Sequence, residues 1–257
     1  SAAFLNRQMK EIRDSGKVIG LEWVTVRALI LLRLGPNRTA PPADIESARV
    51  NYMRLMPSTA QRVVAFCGIF TATFLLPFLL IQGAGYSPVE TGLLLMSVPL
   101  SMALVAPFSG AASDRWGPSL PATTGMILIV LGLLSLTWLP ADFTPPDLVW
   151  RLVLLGVGNG MFMSPNSSAV LGSVPGGRVG TASGVLAQMR VTGQALGIAL
   201  SAAVVATRLP VYLAGTGGTP SPAQESAALA AAIGDAFVIA AAVCSIGIAT
   251  SLIRGGG

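Results

Sequence analysis

The stretch VVAFCGIFTATFLLPFLLIQGAGYSPV, residues 63–89, carries no charged side chain in 27 positions. A bilayer core about 30 Å thick needs roughly 20 predominantly apolar residues in helical form. The stretch is therefore long enough to cross, and the rest of the chain repeats the pattern. Glu90 to Asp114 encloses 23 uncharged residues, Arg115 to Asp142 encloses 26, and Arg151 to Arg178 another 26. Inside lipid a backbone must satisfy its own hydrogen bonds, so apolar runs of this length read as helices. Barrel strands would be about half as long and would alternate in polarity.

Composition points the same way. The 257 residues are 53% apolar and 11% charged, with a mean hydropathy of +0.70. A soluble domain carries about 25% charged residues, and a disordered chain pairs low hydrophobicity with high charge. Both classes are excluded. Histidine is absent, which removes Ser-His and Cys-His nucleophilic sites and imidazole proton relays. Cys67 and Cys244 are the two cysteines, each inside an apolar run, so neither a disulfide framework nor a Cys-rich zinc site is expected. There is no G-x-x-x-x-G-K-[ST] phosphate loop. No metal or cofactor is implied, and the chain is not read as an enzyme. Its start shows no signal-peptide pattern, and Ser1 in place of Met is what a fragment or processed product would show.

Six spans follow, at about 63–82, 91–112, 120–139, 148–170, 181–207 (interrupted by Arg190) and 229–253. Gly- and Pro-marked connections separate them. The net charge of +5 resides in residues 1–62, with ten basic and five acidic side chains; the remaining 195 residues carry six of each sign. Basic residues gather on the cytoplasmic side of membrane proteins. With six spans, the N-terminal segment, Arg115, Arg178 and Arg254 share one side. Arg151 and Arg208 fall on the other, each at a span end where it can snorkel. Both termini are thus expected in the cytoplasm, at the plasma membrane. Attraction to anionic lipid explains the basic excess, and nucleic acid is not an expected partner. Residues 1–58 form a separate basic juxtamembrane segment, either an amphipathic helix on the membrane surface or a poorly ordered tail. Residues 59–257 form the six-span domain.

The second span ends in Gly110-Ala-Ala-Ser-Asp114-Arg115-Trp-Gly117. This resembles the signature loop of the major facilitator superfamily, G-x-L-a-D-R-x-G-R-K, with Pro118 and Ser119 in place of its closing basic pair. The run from Leu76-Pro77 through Gln82, Gly85-Tyr86-Ser87-Pro88, Gly92, Pro99 and Pro107 is similar to the fourteen-helix drug:proton antiporter branch. So is Gly156-Val-Gly-Asn-Gly160, Pro165 and Gly180-Thr-Ala-Ser-Gly184 through Arg190, Gly193 and Gly197. The resemblance covers about residues 63–253 and leaves out 1–58. The family has two six-helix halves, and this chain has room for one, resembling the C-terminal half.

Several residues stand out as site candidates. Ser183, Ala187, Arg190, Gln194, Gly197 and Ser201 are spaced to share one helical face. A mid-span guanidinium costs about 2.5–3.5 kcal/mol on insertion scales and should face protein or water. Arg190 is therefore a charge relay or substrate contact, or a structural cation at helix-end carbonyls. Gly184, Gly193 and Gly197 echo the G-x(8)-G-x(3)-G spacing of the superfamily's antiporter motif, with Ile198 where that motif has Pro. Small residues four apart serve helix packing or a gating hinge. Asn159 and Asn166 share a face with Met163, beside a possible kink at Pro165; they bond across helices or contact substrate. Phe66, Phe70, Phe74 and Phe78 form a stripe that lines a greasy pocket or faces lipid. Asp235 is placed about one turn below the outer surface, as proton carrier or helix cap.

The fold expected is an all-α membrane protein, six transmembrane helices forming half of a major-facilitator-type bundle. The resemblance implies efflux of lipophilic or cationic small molecules coupled to proton entry by alternating access. Its partners would be the lipid bilayer, the substrate, protons as coupling ion, and an N-terminal half or a second copy. The competing class is a non-transporting six-helix remnant or assembly subunit. An intramembrane protease is disfavoured, because Thr181-Ala-Ser-Gly184 has no histidine to pair with.

Overall fold

The computed structural model describes residues 61–140, 143–172, 179–215 and 220–254. The juxtamembrane segment 1–58 lies outside them. Among the described residues there is no strand, and six helices are long and apolar enough to cross a membrane. They are α1 Gln61–Gly83, α2 Pro88–Trp116, α3 Ser119–Thr137, α4 Pro145–Gly172, α5 Val179–Ala214 and α6 Pro222–Arg254. The chain is a multi-pass all-α membrane protein.

Helix boundaries follow local chemistry. α1 closes in a π turn, Leu79–Gly83, with Ala84 N–H bonded to Leu79 O at 2.9 Å. Ser87 opens α2 as the cap of a reciprocal box with Glu90, and Pro88 occupies the first turn. There the missing N–H of proline costs nothing. α2 is interrupted at Met96, between Pro88–Leu95 and Ser97–Trp116. Gly117 turns the chain out of α2 at φ +80°, a left-handed geometry that favours glycine.

Helices reach further than the apolar runs suggested. α5 has 36 residues and α6 has 33, about 54 Å and 50 Å at 1.5 Å rise per residue. α5 passes unbroken through Arg190, so the charge interrupts the apolar run and not the helix.

Packing is organised by glycine. Lipid tails are as apolar as leucine, so helices associate where small residues let backbones approach. A Cβ on Gly125 of α3 would stand 2.7 Å from Gly158 O of α4, and one on Gly158 would stand 2.9 Å from Gly125 O. Gly132 meets Leu155 on the same seam. Across α4, Gly156 and Gly160 seat against Val98, Ser101 and Met102 of α2. α4 therefore lies between α2 and α3, α3 between α4 and α6, and α6 between α3 and α5, with α1 also against α6. Leu76, Leu80, Met126, Ile129, Leu133, Leu152, Phe162, Ile233 and Phe237 fill the centre.

The two flanks stay uncovered. Within the most apolar stretches, 11% of α2 and 17% of α5 is buried, against 39–61% for the other four helices.

Candidate functional site

The face of α5 singled out above changes character along its length. Toward the end of the bundle that carries the signature loop, Ser183, Ala187 and Arg190 are exposed and Gln194 is half-buried. The Ser183 hydroxyl bonds back to Val179 O at 2.9 Å. Arg190 has no hydrogen bond or ion pair among the described residues. Then the face closes on α1. A Cβ on Gly193 would stand 2.6 Å from Phe66 Cβ and Val63 O, and one on Gly197 would run into Cys67 O. Thr71 of α1 donates to Cys67 O at 2.9 Å and across to Gly197 O at 3.3 Å. Ser201 is fully buried and donates to Gly197 O at 2.6 Å. Gly193 and Gly197 are thus contact points between α5 and α1, whereas Gly184 has open space where a Cβ would stand.

Farther along, the face meets α6. Arg208 and Tyr212 lie seven and eleven residues beyond Ser201, still on the same side of the helix. Arg208 Nε is 3.2 Å from Asp235 Oδ2, and the Tyr212 hydroxyl donates to the same oxygen at 2.9 Å. Sequence reading missed this cluster by treating Arg208 as a snorkelling residue and ending the stripe at Ser201. The i+7, i+11 continuation was the available signal.

The register of α6 against α1 fixes the place of Asp235 along the bundle. Cys244 Sγ of α6 donates to Val64 O of α1 at 3.4 Å, and Ser226 Oγ donates to Gln82 O at 3.5 Å. These contacts are eighteen residues apart on both helices, so α1 and α6 run antiparallel in constant register. Eighteen residues rise about 27 Å, close to the thickness of a bilayer core. Asp235 stands nine residues from each contact, midway between them. α6 begins at Pro222 rather than near 229, well before Asp235. Thirteen helical residues precede it, so it does not cap.

The other candidates are distributed differently. Asn159 and Asn166 of α4 are buried. Asn159 Nδ2 bonds to Met102 Sδ at 3.3 Å, while Asn159 Oδ1 and Asn166 Nδ2 lack partners among the described residues. α4 continues helically through Pro165. Phe66 is buried, but Phe70 and Phe74 are half-buried and Phe78 is exposed, giving α1 an open aromatic edge. The Phe74 and Phe78 rings touch at 5.3 Å between centroids. In the signature loop, Gly110 sits beside Ser164, and Ser109 donates to Met161 O at 3.0 Å. Asp114 and Arg115 are exposed and form no ion pair among the described residues. At the opposite end Arg151 does not simply snorkel. It donates to Ser135 O and Asp147 O at 3.0 and 2.6 Å and covers the Trp150 ring at 4.7 Å. Among the described residues no three His, Cys, Asp or Glu side chains gather as a metal site would require.

Known proteins are similar to this chain in sequence. An uncharacterized transporter of Escherichia coli, YebQ, is 35% identical over 70% of this chain and 39% of its own length. The riboflavin transporter RibZ of Clostridioides difficile is 33% identical over 68% of this chain and 37% of its own. The multidrug resistance protein Stp of Mycobacterium tuberculosis is 29% identical over 74% of this chain and 37% of its own. The chain thus spans less than two-fifths of these relatives. The sequence model of the Major Facilitator Superfamily matches residues 24–198, taking in residues 24–58, which the motif resemblance left out. With more than half of its length matched, the chain belongs to the Major Facilitator Superfamily.

Proposed function

We propose that this chain is one six-helix half of a proton-coupled exporter of lipophilic or cationic small molecules, working with a second half that covers α2 and α5. The observation that carries the reading is the uneven cover of the bundle. α2 and α5 are its least buried helices, and α5 turns Arg190 and Gln194 to the open side. A guanidinium facing hydrocarbon is unfavourable. A facing half with water-filled space between would satisfy it. Val89, Leu93, Leu100, Leu104 and Phe108 present a long apolar edge on α2, suited to packing on another helix.

The substrate class is supported by the open aromatic edge of α1, where Phe70, Phe74 and Phe78 offer π faces to planar or cationic molecules. It is supported also by the relatives, which include the multidrug resistance protein Stp and a tetracenomycin C resistance and export protein of Streptomyces glaucescens. In this reading the signature-loop end and both termini are cytoplasmic, at the plasma membrane. Binding and alternating access carry the function, with no covalent chemistry. Arg190 and Gln194 line the pathway on α5, and Asn159 and Asn166 stiffen the α2–α3–α4 unit behind it. Asp114 and Arg115 hold the cytoplasmic gate against the second half, while Gly193 and Gly197 set the α1–α5 contact.

Inside-out vesicles test this reading. A fluorescent lipophilic cation is followed under an imposed proton gradient, with the chain alone and with a family N-terminal half co-expressed. Gradient-dependent uptake is expected only with both halves or with a stable homodimer. Uptake by a demonstrably monomeric chain would refute the half-transporter reading. No uptake in any assembly would favour the non-transporting subunit. Impermeant labelling of Gly176→Cys from outside the cell would overturn the orientation.

A further inference from the structure

Two cations toward the signature-loop end of the bundle have no anion. Arg62, in the first described turn of α1, is 2% exposed, yet its Nε and Nη2 have no acceptor among the described residues. A buried guanidinium without a counter-charge is among the costliest features a fold can carry. The described acids are Glu90, Asp114, Asp147, Glu225 and Asp235. Asp235 is engaged by Arg208. Glu90, Asp147 and Glu225 stand in the first turns of α2, α4 and α6, at the opposite end. Asp114 is at the same end as Arg62, but it is exposed and forms no ion pair among the described residues. The acceptor that Arg62 lacks must therefore come from beyond these helices.

Arg190 of α5 is the second cation. The contacts between α5 and α1 advance together, Gly193 against Val63 and Phe66, then Gly197 against Cys67. The two helices thus run parallel in constant register. Arg62 lies one turn before Phe66, and Arg190 one turn before Gly193, each on the face that makes this contact. Both arginines therefore stand at one level of the α1–α5 seam, on the signature-loop side of the Phe66–Gly193 contact. Like charges so placed disfavour each other, and an anion between them reverses the sign. Guanidinium forks match the oxygens of a phosphate group, and basic pockets between transmembrane helices seat phosphate headgroups. Arg190 is exposed, which leaves a way in. We propose that Arg62 and Arg190 form a site for a phosphate-type oxyanion, carried by a lipid headgroup or by inorganic phosphate. The anion enters past Arg190 and neutralises the buried Arg62. The site goes beyond the export reading and holds for a transporting or a non-transporting chain.

The test purifies the whole chain in detergent, stripped of lipid, and follows its thermal unfolding at fixed ionic strength. Dioleoyl phosphatidylglycerol, dioleoyl phosphatidylcholine and inorganic phosphate are added in turn. A ligand that binds only the folded state raises the midpoint with its concentration. A rise with phosphatidylglycerol but not with inorganic phosphate marks a headgroup as the source; a rise with inorganic phosphate marks a free oxyanion. An equal rise with phosphatidylcholine reports general lipid solvation and overturns the site. Arg62→Met should keep or raise the midpoint without anion, because it removes an unpaired buried charge, and should lose the rise. Arg190→Gln should bind about tenfold or more weakly, the effect of one charge-assisted bond lost. Its position is exposed, so it decides alone if Arg62→Met does not accumulate. Arg115→Gln removes an exposed cation at the same end and should respond as wild type does. An equal loss in Arg115→Gln would mean diffuse attraction to a basic end and overturns the proposal. So does a wild type indifferent to both anions, the result expected if a carboxylate from elsewhere in the chain already occupies Arg62.

Discussion

α2 and α3 are nearly equal in mean hydropathy, 1.8 and 1.9 over their most apolar stretches, yet 11% of one and 50% of the other is buried. What separates them is where small residues fall. Gly125 and Gly132 let α3 press directly on α4, with Ile129 and Leu133 locking into the centre. α2 touches α4 on one side only, through glycines that α4 supplies. Its outer edge of Leu93, Leu100, Leu104 and Phe108 is left exposed by the described residues. Hydropathy identifies what enters a membrane. Small residues identify what is covered once inside, because packing rather than water drives helix association there. α5 combines both conditions, open at Arg190 and closed on α1 at Gly193 and Gly197.

The largest effect expected from this contrast is at the α3–α4 seam. Gly158→Leu would drive a side chain into Ile129 N and Gly125 O, at 2.8 and 2.9 Å from the first added carbon. Backbone cannot rotate away as a side chain can. A loss of about 3 kcal/mol is expected, the upper part of the overpacking range, read as a lower midpoint in detergent unfolding. Gly92→Leu on α2, with nothing within 4 Å, is the control and should change stability by under about 0.5 kcal/mol. Equal effects at the two positions would dissolve the distinction between covered and uncovered helices.

Next comes the bare edge of α2. Leu100→Gln should leave the isolated chain's stability within about 0.5 kcal/mol, because Leu100 is 60% exposed. It should weaken association with a second half by about 1 kcal/mol or more, since an amide would be buried there without a built partner. Co-purification at matched expression reads the difference. If Leu100→Gln unfolds the chain alone and spares assembly, the edge has been assigned to the wrong partner.

Arg190 separates the two roles of α5. Arg190→Lys keeps charge but loses the planar fork, so coupled efflux should fall about tenfold, equal to about 1.4 kcal/mol, at unchanged membrane abundance. Arg190→Ala should lower efflux at least as far. A loss of abundance in Arg190→Ala with normal efflux per molecule would make the residue structural. No change in either variant would remove it from the pathway.

The amount legible in the sequence follows the same division. Uncharged gaps announced the first four helices, since a charge in the bilayer core is costly enough to leave a mark on composition, and the last two were read from apolar runs that each carry a charge. Asp114-Arg115 between flanking glycines pointed to the family. The partners were harder to read. The stripe through Arg190 was visible as spacing, but its extension to Arg208 and Tyr212 crosses the end of the apolar run, so hydropathy hid it. The place of Asp235 along the bundle depends on the register between α1 and α6. The Val64–Cys244 and Gln82–Ser226 contacts set that register, and no single-helix pattern encodes them. Asn159 and Asn166 were recognisable as polar spots. Which neighbour they meet depends on the glycine seams to either side.

The smallest effect probes the place where α5 is held on α1. The Thr71 hydroxyl divides its donation between Cys67 O of its own helix and Gly197 O of α5. The local bond, at 2.9 Å, is the shorter and survives any separation of the helices; the cross-helix bond at 3.3 Å is the part that reports contact. Thr71→Val keeps the shape and removes both. Interhelical hydrogen bonds in membranes average about 0.6 kcal/mol, because the separated helices find other partners. The Cys67 carbonyl remains bonded in its own helix, so the loss should stay near about 0.6 kcal/mol in unfolding. Thr71→Ala should cost more, since it also opens space at a fully buried position. Adding Gly197→Ala to Thr71→Val gives the sharper reading. If Gly197 is the contact itself, its substitution alone should already break the cross-helix bond, and the double variant should fall short of the sum of the singles. Strict additivity would mean that α1 and α5 are not joined at this point.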